Sequence, residues 1–360
     1  MHVVEGALKE YDWGVVDGLA RWYGRATGGP QAELWFGSHP AGPAIVVEGP
    51  DLGRSLADID GYAGMPMVKL LAASTPLSLQ VHPDRERAEA GWRAQEGASD
   101  RLYSDAAEKS EMLCAIASFD AHAGWREAAA AADVLARAGA PSDVVEAAAG
   151  ADHSAAVRLL LAMSPAASAP IARQLVASAT AAGWSPDAVS ALARVAATHP
   201  DDPGVLVTVL LDHVLLAPGQ ALTVPAGVVH SYVYGLGVEV MTSSDNVLRL
   251  GLTSKAVAPE EALAAVRPDR RPEVVEAFAG DPLASPDLPF TLTFVDRPLT
   301  VVQGSHRTVL ALVGEARVEC GPATVVLAEG RALALLPSDD DARIDPAGTA
   351  IVVRGTQPPG

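Results

Sequence analysis

Cysteine is nearly absent: the 360 residues contain two, Cys114 and Cys320, with no CxxC spacing. That excludes a disulfide framework and a thiolate zinc site, and two unpaired thiols fit a reducing compartment. Aromatic residues make up 5% of a chain that is 49% apolar, so Val, Leu, Ile and Ala must fill the core. Basic residues are also scarce, 26 Lys and Arg against 44 Asp and Glu, for a net charge of −18. Such a surface repels phosphodiester backbones and anionic lipid, so neither nucleic acid nor a membrane is an expected partner. An anionic small molecule would need a local cationic pocket set against the global field. No apolar run reaches the roughly 18 residues of a membrane span. The opening MHVVEGALKEYDWG lacks the basic-then-apolar pattern of a secretion signal. A soluble, cytoplasmic monomer is expected.

What is present falls into three textures. Residues 1–120 are rich in Gly, Pro and short apolar runs such as AIVVEG and PLSLQVHP, which read as short strands joined by turns. Residues 121–203 are alanine-rich, with apolar positions at helical spacing in WREAAAAADVLARAG and SAAVRLLLAM. In SPDAVSALARVAATHP, Ser185 suits an N-cap, Pro186 the first helical position and Pro200 a stop. The strand texture returns near Leu206 and continues through FTLTFV, TVLALVG, ATVVLAEG and AIVVRG. The expected fold is mainly β: a jelly-roll catalytic barrel from 1–120 and 204–265, a helical insertion at 121–203, and a C-terminal β unit at 266–360.

The sharpest chemical signal is GQALTVPAGVVH, with Gly219, Pro225, Gly227 and His230 at G-x5-P-x-G-x2-H spacing. This is a cupin signature in which turn glycines let a strand pair bend and the histidine point inward. The position where an Asn usually follows is Tyr234. Upstream, PLSLQVHPD places Gln80 and His82 two apart, on one face of a strand. The sequence KSEM then offers Glu111 just before an apolar strand. Two His, one Glu and one Gln form a nitrogen–oxygen ligand set for one divalent ion, with zinc expected and manganese, iron or cobalt also accommodated.

Taken in order, YDWG, AELWFGSHP, LSLQVHPD, KSEM, VPAGVVHSYVYGLGVEVM and SSDNVLRLGLTSK resemble the type I mannose-6-phosphate isomerase family from residue 11 to about 260. The resemblance implies zinc held by Gln80, His82, Glu111 and His230, and an essential catalytic Arg249. It implies Lys109 and Lys255 in the pocket, lined further by Ser78, Lys69, Trp13, Glu33, Tyr232, Glu239 and Asp245. Two departures stand out: Ser110 replaces a usual Pro, which should loosen that loop, and the C-terminal region is short.

By spacing, Ser78 shares the face of Gln80, and Tyr232 that of His230. His39 is expected near the site, Asp245–Asn246 reads as an ordinary turn, and the remaining histidines have no ligand spacing. Arg249 should lie on a return strand beside that of His230. The implied reaction interconverts mannose 6-phosphate and fructose 6-phosphate through a cis-enediolate. Lys109, Glu239 and a metal-bound hydroxide are open alternatives for the base. The competing readings are an isomerase of another aldose phosphate, a cupin oxygenase and a non-catalytic sugar- or metal-binding cupin.

Overall fold

Every residue of the strand Met67–Ala73 is buried, which requires cover on both faces. Alternation supplies it. Val68, Leu70 and Ala72 pack with Leu34, Phe36, Met112, Cys114, Val238 and Val240 in one core. Leu71 and Ala73 join Leu113, Phe119, Leu222 and Tyr232 in another. These strands belong to a ten-stranded antiparallel sheet ordered Glu273–Glu276, Gln220–Val224, Glu111–Trp125, His230–Met241, Met67–Ala73, Glu33–Phe36, Ala7–Lys9. Leu211–Leu216 pairs with Glu111–Trp125, while Leu79–Val81 joins His230–Met241 to Leu248–Gly251. The computed structural model describes residues 1–277 and 280–356.

The first core is closed by a seven-stranded sheet that contributes Leu310, Leu312, Ala332, Ala334, Ile351 and Val353. Its opposite face, with Val309, Ala311, Leu333, Leu335 and Val352, packs on a four-stranded sheet through Val318, Leu327 and Ile344. Two strands cross the divisions expected from texture. His2–Glu5 pairs with Arg331–Leu335 in the seven-stranded sheet, and Glu273–Glu276 pairs with Gln220–Val224 at the edge of the ten-stranded one.

The strand Glu111–Trp125 runs past the point where the texture changes, so the first helix of the middle segment begins at Ala128. Ser185 caps the helix Pro186–Thr198 as its sequence suggests, accepting a hydrogen bond from the Ala188 amide at 3.2 Å. The helices bury Val134, Leu135, Val157, Leu160, Leu175 and Leu192 against Leu79, Val81, Leu248 and Leu250. Covering that face turns Gln80 and Arg249 the other way, by the strand period of two. Arg249 is not on a strand beside His230: Leu79–Val81 lies between, so Gln80 faces His230 on one side and Arg249 on the other. Among the described residues no single helix is long and apolar enough to cross a membrane.

Candidate active site and metal centre

The alternation that buries Val68, Leu70, Val238 and Val240 sends Lys69 and Glu239 to the opposite face, where they stand directly across from one another. Trp35 is opposite Lys69 on the other side, so three strands place Trp35, Lys69 and Glu239 in one row. Lys69 Nζ lies 2.9 Å from Glu239 and 3.5 Å from Glu33. The Trp35 indole N–H donates to the second Glu33 oxygen at 2.8 Å. All three charged groups are buried. Burial works to lower the Lys69 ammonium, yet Glu239 and Glu33 outweigh it and hold the group above its ordinary value. Burial pushes the Glu239 carboxyl up in spite of Lys69, because one ammonium cannot neutralise two carboxylates.

Beside this row, and deeper, are His82, Glu111 and His230, at 1%, 1% and 0% exposure, with ligand atoms all within 4.8 Å of one another. Glu111 lies 2.9 Å from His230 Nε2 and 3.3 Å from His82 Nε2. Each imidazole is oriented from behind. His82 Nδ1 is 2.8 Å from the Asn246 carbonyl and His230 Nδ1 is 3.0 Å from the Val228 carbonyl. A carbonyl only accepts, so each Nδ1 carries the proton and each Nε2 presents its lone pair to the cluster, the arrangement of metal-binding histidines. His82 Nε2 and Glu111 Oε2 are buried and make no hydrogen bond, although the Lys109 ammonium stands 3.2 Å from that oxygen. Orphaned acceptors of this kind fit a divalent cation.

Gln80 completes the set. Its amide nitrogen is 3.1 Å from His230 Nε2 and its oxygen accepts from the Ser78 hydroxyl at 3.1 Å, and a half-turn of the amide brings the oxygen to the cluster. Tyr232 donates to Glu111 at 3.1 Å, and Lys109 Nζ lies 3.2 Å from the other Glu111 oxygen. Burial pushes the His82 imidazole down to about 3, with Lys109 adding to the effect. For Glu111, burial acts upward, but Lys109 and the two histidines hold the carboxyl well below the usual range. A deprotonated, cation-ready set results.

The turn before His230 needs its glycine. Gly227 has φ +92°, a Cβ there would meet Arg267 side-chain atoms at 2.3 Å, and its N–H donates to the His82 carbonyl at 2.8 Å. The signature thus ties the two histidines together through backbone.

Above the cluster opens a cleft of about 750 Å³ lined by Trp13, Glu33, Lys69, Ser78, Gln80, Lys109, Tyr232, Glu239, Asp245, Arg249 and Lys255, so every residue expected in the pocket reaches it. Among the described residues the side chains of Arg249 and Lys255 have no ion pair or hydrogen bond, unlike Lys69 and Lys109. Among the described residues the acidic protein therefore does contain two cleft cations without a carboxylate partner, Lys255 lying 5.5 Å from the Tyr11 ring centre.

Across nearly its whole length the chain matches known sugar-phosphate enzymes. Residues 1–128 match the family model for the phosphomannose isomerase type I catalytic domain. Mannose-6-phosphate isomerase of Salmonella typhimurium is 27% identical, over 98% of this chain and 99% of that protein. That of Escherichia coli is 27% identical over 92% and 93%. A variant of the Salmonella phosphomannose isomerase superposes with a TM-score of 0.85 at 25% identity, covering 99% of this chain and 100% of that one. A zinc-bound mannose 6-phosphate isomerase superposes at 0.83 with 24% identity, over 99% and 100%. The chain is thus similar to the type I phosphomannose isomerases, and the match to their catalytic-domain model covers residues 1–128. Its fold is accordingly the cupin fold, mainly β with a helical segment.

Three features were missed in the sequence or differ from expectation. Asn246 is not an ordinary turn residue: it is fully buried, its side chain bonds Ser104, Asp105 and Ala107, and its carbonyl orients His82. Ser110 does not leave a loose loop. Its N–H donates to Thr242 Oγ1 at 3.2 Å, its hydroxyl donates to Glu108 at 3.0 Å and accepts from the Ala226 amide at 3.2 Å. Trp35 and Tyr11 also line the cleft. Alternation from Glu33 could have found Trp35; Tyr11, stacked on Trp13 with ring centroids 5.7 Å apart, had no such signal. His39 lies outside the metal cluster, 3.5 Å from Asp245 and edge-on to Trp35.

Proposed function

We propose that this cleft interconverts mannose 6-phosphate and fructose 6-phosphate, moving a proton between C2 and C1 through a cis-enediolate while the carbonyl moves the other way. The observation that carries the reading is the pairing of a buried, cation-ready Gln80–His82–Glu111–His230 set with two cations that have no carboxylate partner, in a chain similar to type I phosphomannose isomerases. One divalent ion, zinc, would be held by those four side chains. When bound it supplies Lewis-acid stabilisation of negative charge on oxygen.

The remaining roles belong to the chain's own groups. Arg249, beside Gln80 in register, is assigned the oxyanion that develops at C1–O or C2–O, since a guanidinium keeps its charge through turnover. Lys255, exposed on the loop after that strand, is assigned the phosphate. Glu239 and Lys109 are the proton carriers within reach. Glu239 is the better supported, because burial raises its carboxyl in spite of Lys69, which favours a group that both takes and returns a proton. Trp13, Glu33, Lys69, Ser78, Tyr232 and Asp245 would shape and orient the site around the sugar. We read the helical segment, about 121–203, as an insertion into the catalytic unit.

A coupled assay on mannose 6-phosphate, run before and after chelation, tests the function. Activity that vanishes with the metal and returns with zinc is expected; full turnover by protein shown by elemental analysis to be metal-free would overturn the reading.

A further inference from the structure

Near its end the helical segment, whose Thr198 and His199 line the cleft, packs with unusual closeness against the chain just after Arg249. Gly204, which opens the short helix Gly204–Val207 just after that segment, packs on Gly251, so that a Cβ on Gly204 would come within 3.2 Å of the Gly251 Cα and 3.1 Å of the Leu252 amide. Asp202 lies at the centre of this contact. One carboxylate oxygen accepts from the Gly204 N–H at 2.7 Å, and the other accepts from Leu252 N–H at 2.7 Å and Thr253 N–H at 3.4 Å. Leu252 is 2% exposed and sits in the left-handed region with φ +57°. An L side chain keeps that conformation only where its surroundings over-determine it. Downstream the same loop carries Lys255, whose amide bonds Thr253 Oγ1 at 3.1 Å, and it closes where the Ala258 amide reaches the Arg249 carbonyl at 3.0 Å. Leu252, Thr253 and Lys255 all line the cleft.

We infer that Asp202 is a positioning residue for the phosphate end of the substrate: it pins the Leu252–Lys255 loop in its strained form and so sets where the Lys255 ammonium stands. The helical segment is then the part of the molecule that holds the phosphate grip in place. The Arg249 side chain is placed by strand register opposite Gln80, three residues before the first amide that Asp202 holds. The inference rests on the mannose 6-phosphate reading.

Kinetics of the zinc-loaded full chain test it. Asp202→Ala removes both acceptors, and since a charge-assisted hydrogen bond is the stronger kind, KM for mannose 6-phosphate should rise about tenfold or more. The kcat should stay within about twofold and metal content should be unchanged. Asp202→Asn keeps the shape but has one oxygen for the Gly204 and Leu252 donors, so KM should rise about threefold. Asp152→Ala serves as control. It removes the cap of another helix in the same segment, where Asp152 accepts from the Ala155 amide at 2.9 Å. It should lower the melting temperature and leave KM unchanged. Absence of turnover in the unaltered protein would defeat the substrate reading itself. With turnover present, an unchanged KM in Asp202→Asn, or a KM that rises as much in Asp152→Ala as in Asp202→Ala, would overturn the positioning role.

Discussion

Lys69→Met isolates the energetic demand of the buried charge row. The ammonium is 2.9 Å from Glu239 and 3.5 Å from Glu33, and the side-chain exposures of the three are 7%, 4% and 8%. Methionine matches the stem in size, so packing is nearly conserved and the change is one of charge. Removing one partner of a buried pair leaves an uncompensated charge and costs about 3–5 kcal/mol. Here two carboxylates lose their shared cation, so the upper part of that range is expected near pH 7. The sign with pH follows from Glu239, whose carboxyl is already raised by burial while Lys69 pulls it down. Without Lys69 it rises further. A carboxyl whose folded value exceeds its unfolded one binds more protons in the native state, so stability falls as pH rises through that interval and recovers on acidification. Urea titrations of both proteins from about pH 5 to 8 measure this. The deficit of the variant should shrink as pH falls toward the unfolded carboxylate value of about 4.3. A deficit under about 1 kcal/mol at pH 7, or one that does not vary with pH, would refute the reasoning.

His82→Ala and His230→Ala should each lose bound metal together with activity, and retention of a full complement of zinc by both, read by elemental analysis, would contradict the ligand set. Arg249→Ala should lower kcat by about 10²–10³ if the guanidinium acts like one oxyanion donor, with zinc content intact and KM changed less; a normal kcat would remove it from the chemistry. Ser110→Ala leaves the buried Ala226 N–H without its acceptor and should cost about 1–3 kcal/mol in denaturant unfolding. A cost within error of zero would mean that the Ser110 hydroxyl does not tie the turn before His230.

Much of the site was legible because two kinds of pattern survive in a single sequence. The spacing of Gly219, Pro225, Gly227 and His230 encodes a turn whose conformation only glycine adopts freely, and alternation in LSLQVH sets Gln80 and His82 relative to the sheet. These are local constraints, written in neighbouring residues. Asn246 carried no such mark. An Asp-Asn pair after two serines has the composition of a solvent turn, and only the arrival of Ser104–Ala107 from a distant part of the chain makes it a buried hub. The neighbour of the Arg249 strand was misjudged for a related reason. Chain length allowed a return strand beside His230, but the pairing is decided by which face the helices cover, and that is a tertiary fact.

The same alternation explains why the site can be both polar and stable. A sheet with one wholly apolar face, packed on Leu310, Ile351 and Val353, can carry Glu33, Lys69, Glu239 and Glu111 on the other, because register and burial are secured from behind. Polar residues on the inner face need then only satisfy one another, and they do so along rows set by strand pairing: Trp35–Lys69–Glu239 in one, His230–Gln80–Arg249 in the other. The first row balances its one ammonium with one carboxylate, and Glu33 beside it adds a second carboxylate to the same ammonium. The second leaves histidine lone pairs and a guanidinium unspent, and its Gln80 and Arg249 line the cleft together with the first row. Catalytic capacity is thus concentrated where pairing is incomplete, and the neighbouring row supplies the rigidity that keeps it so.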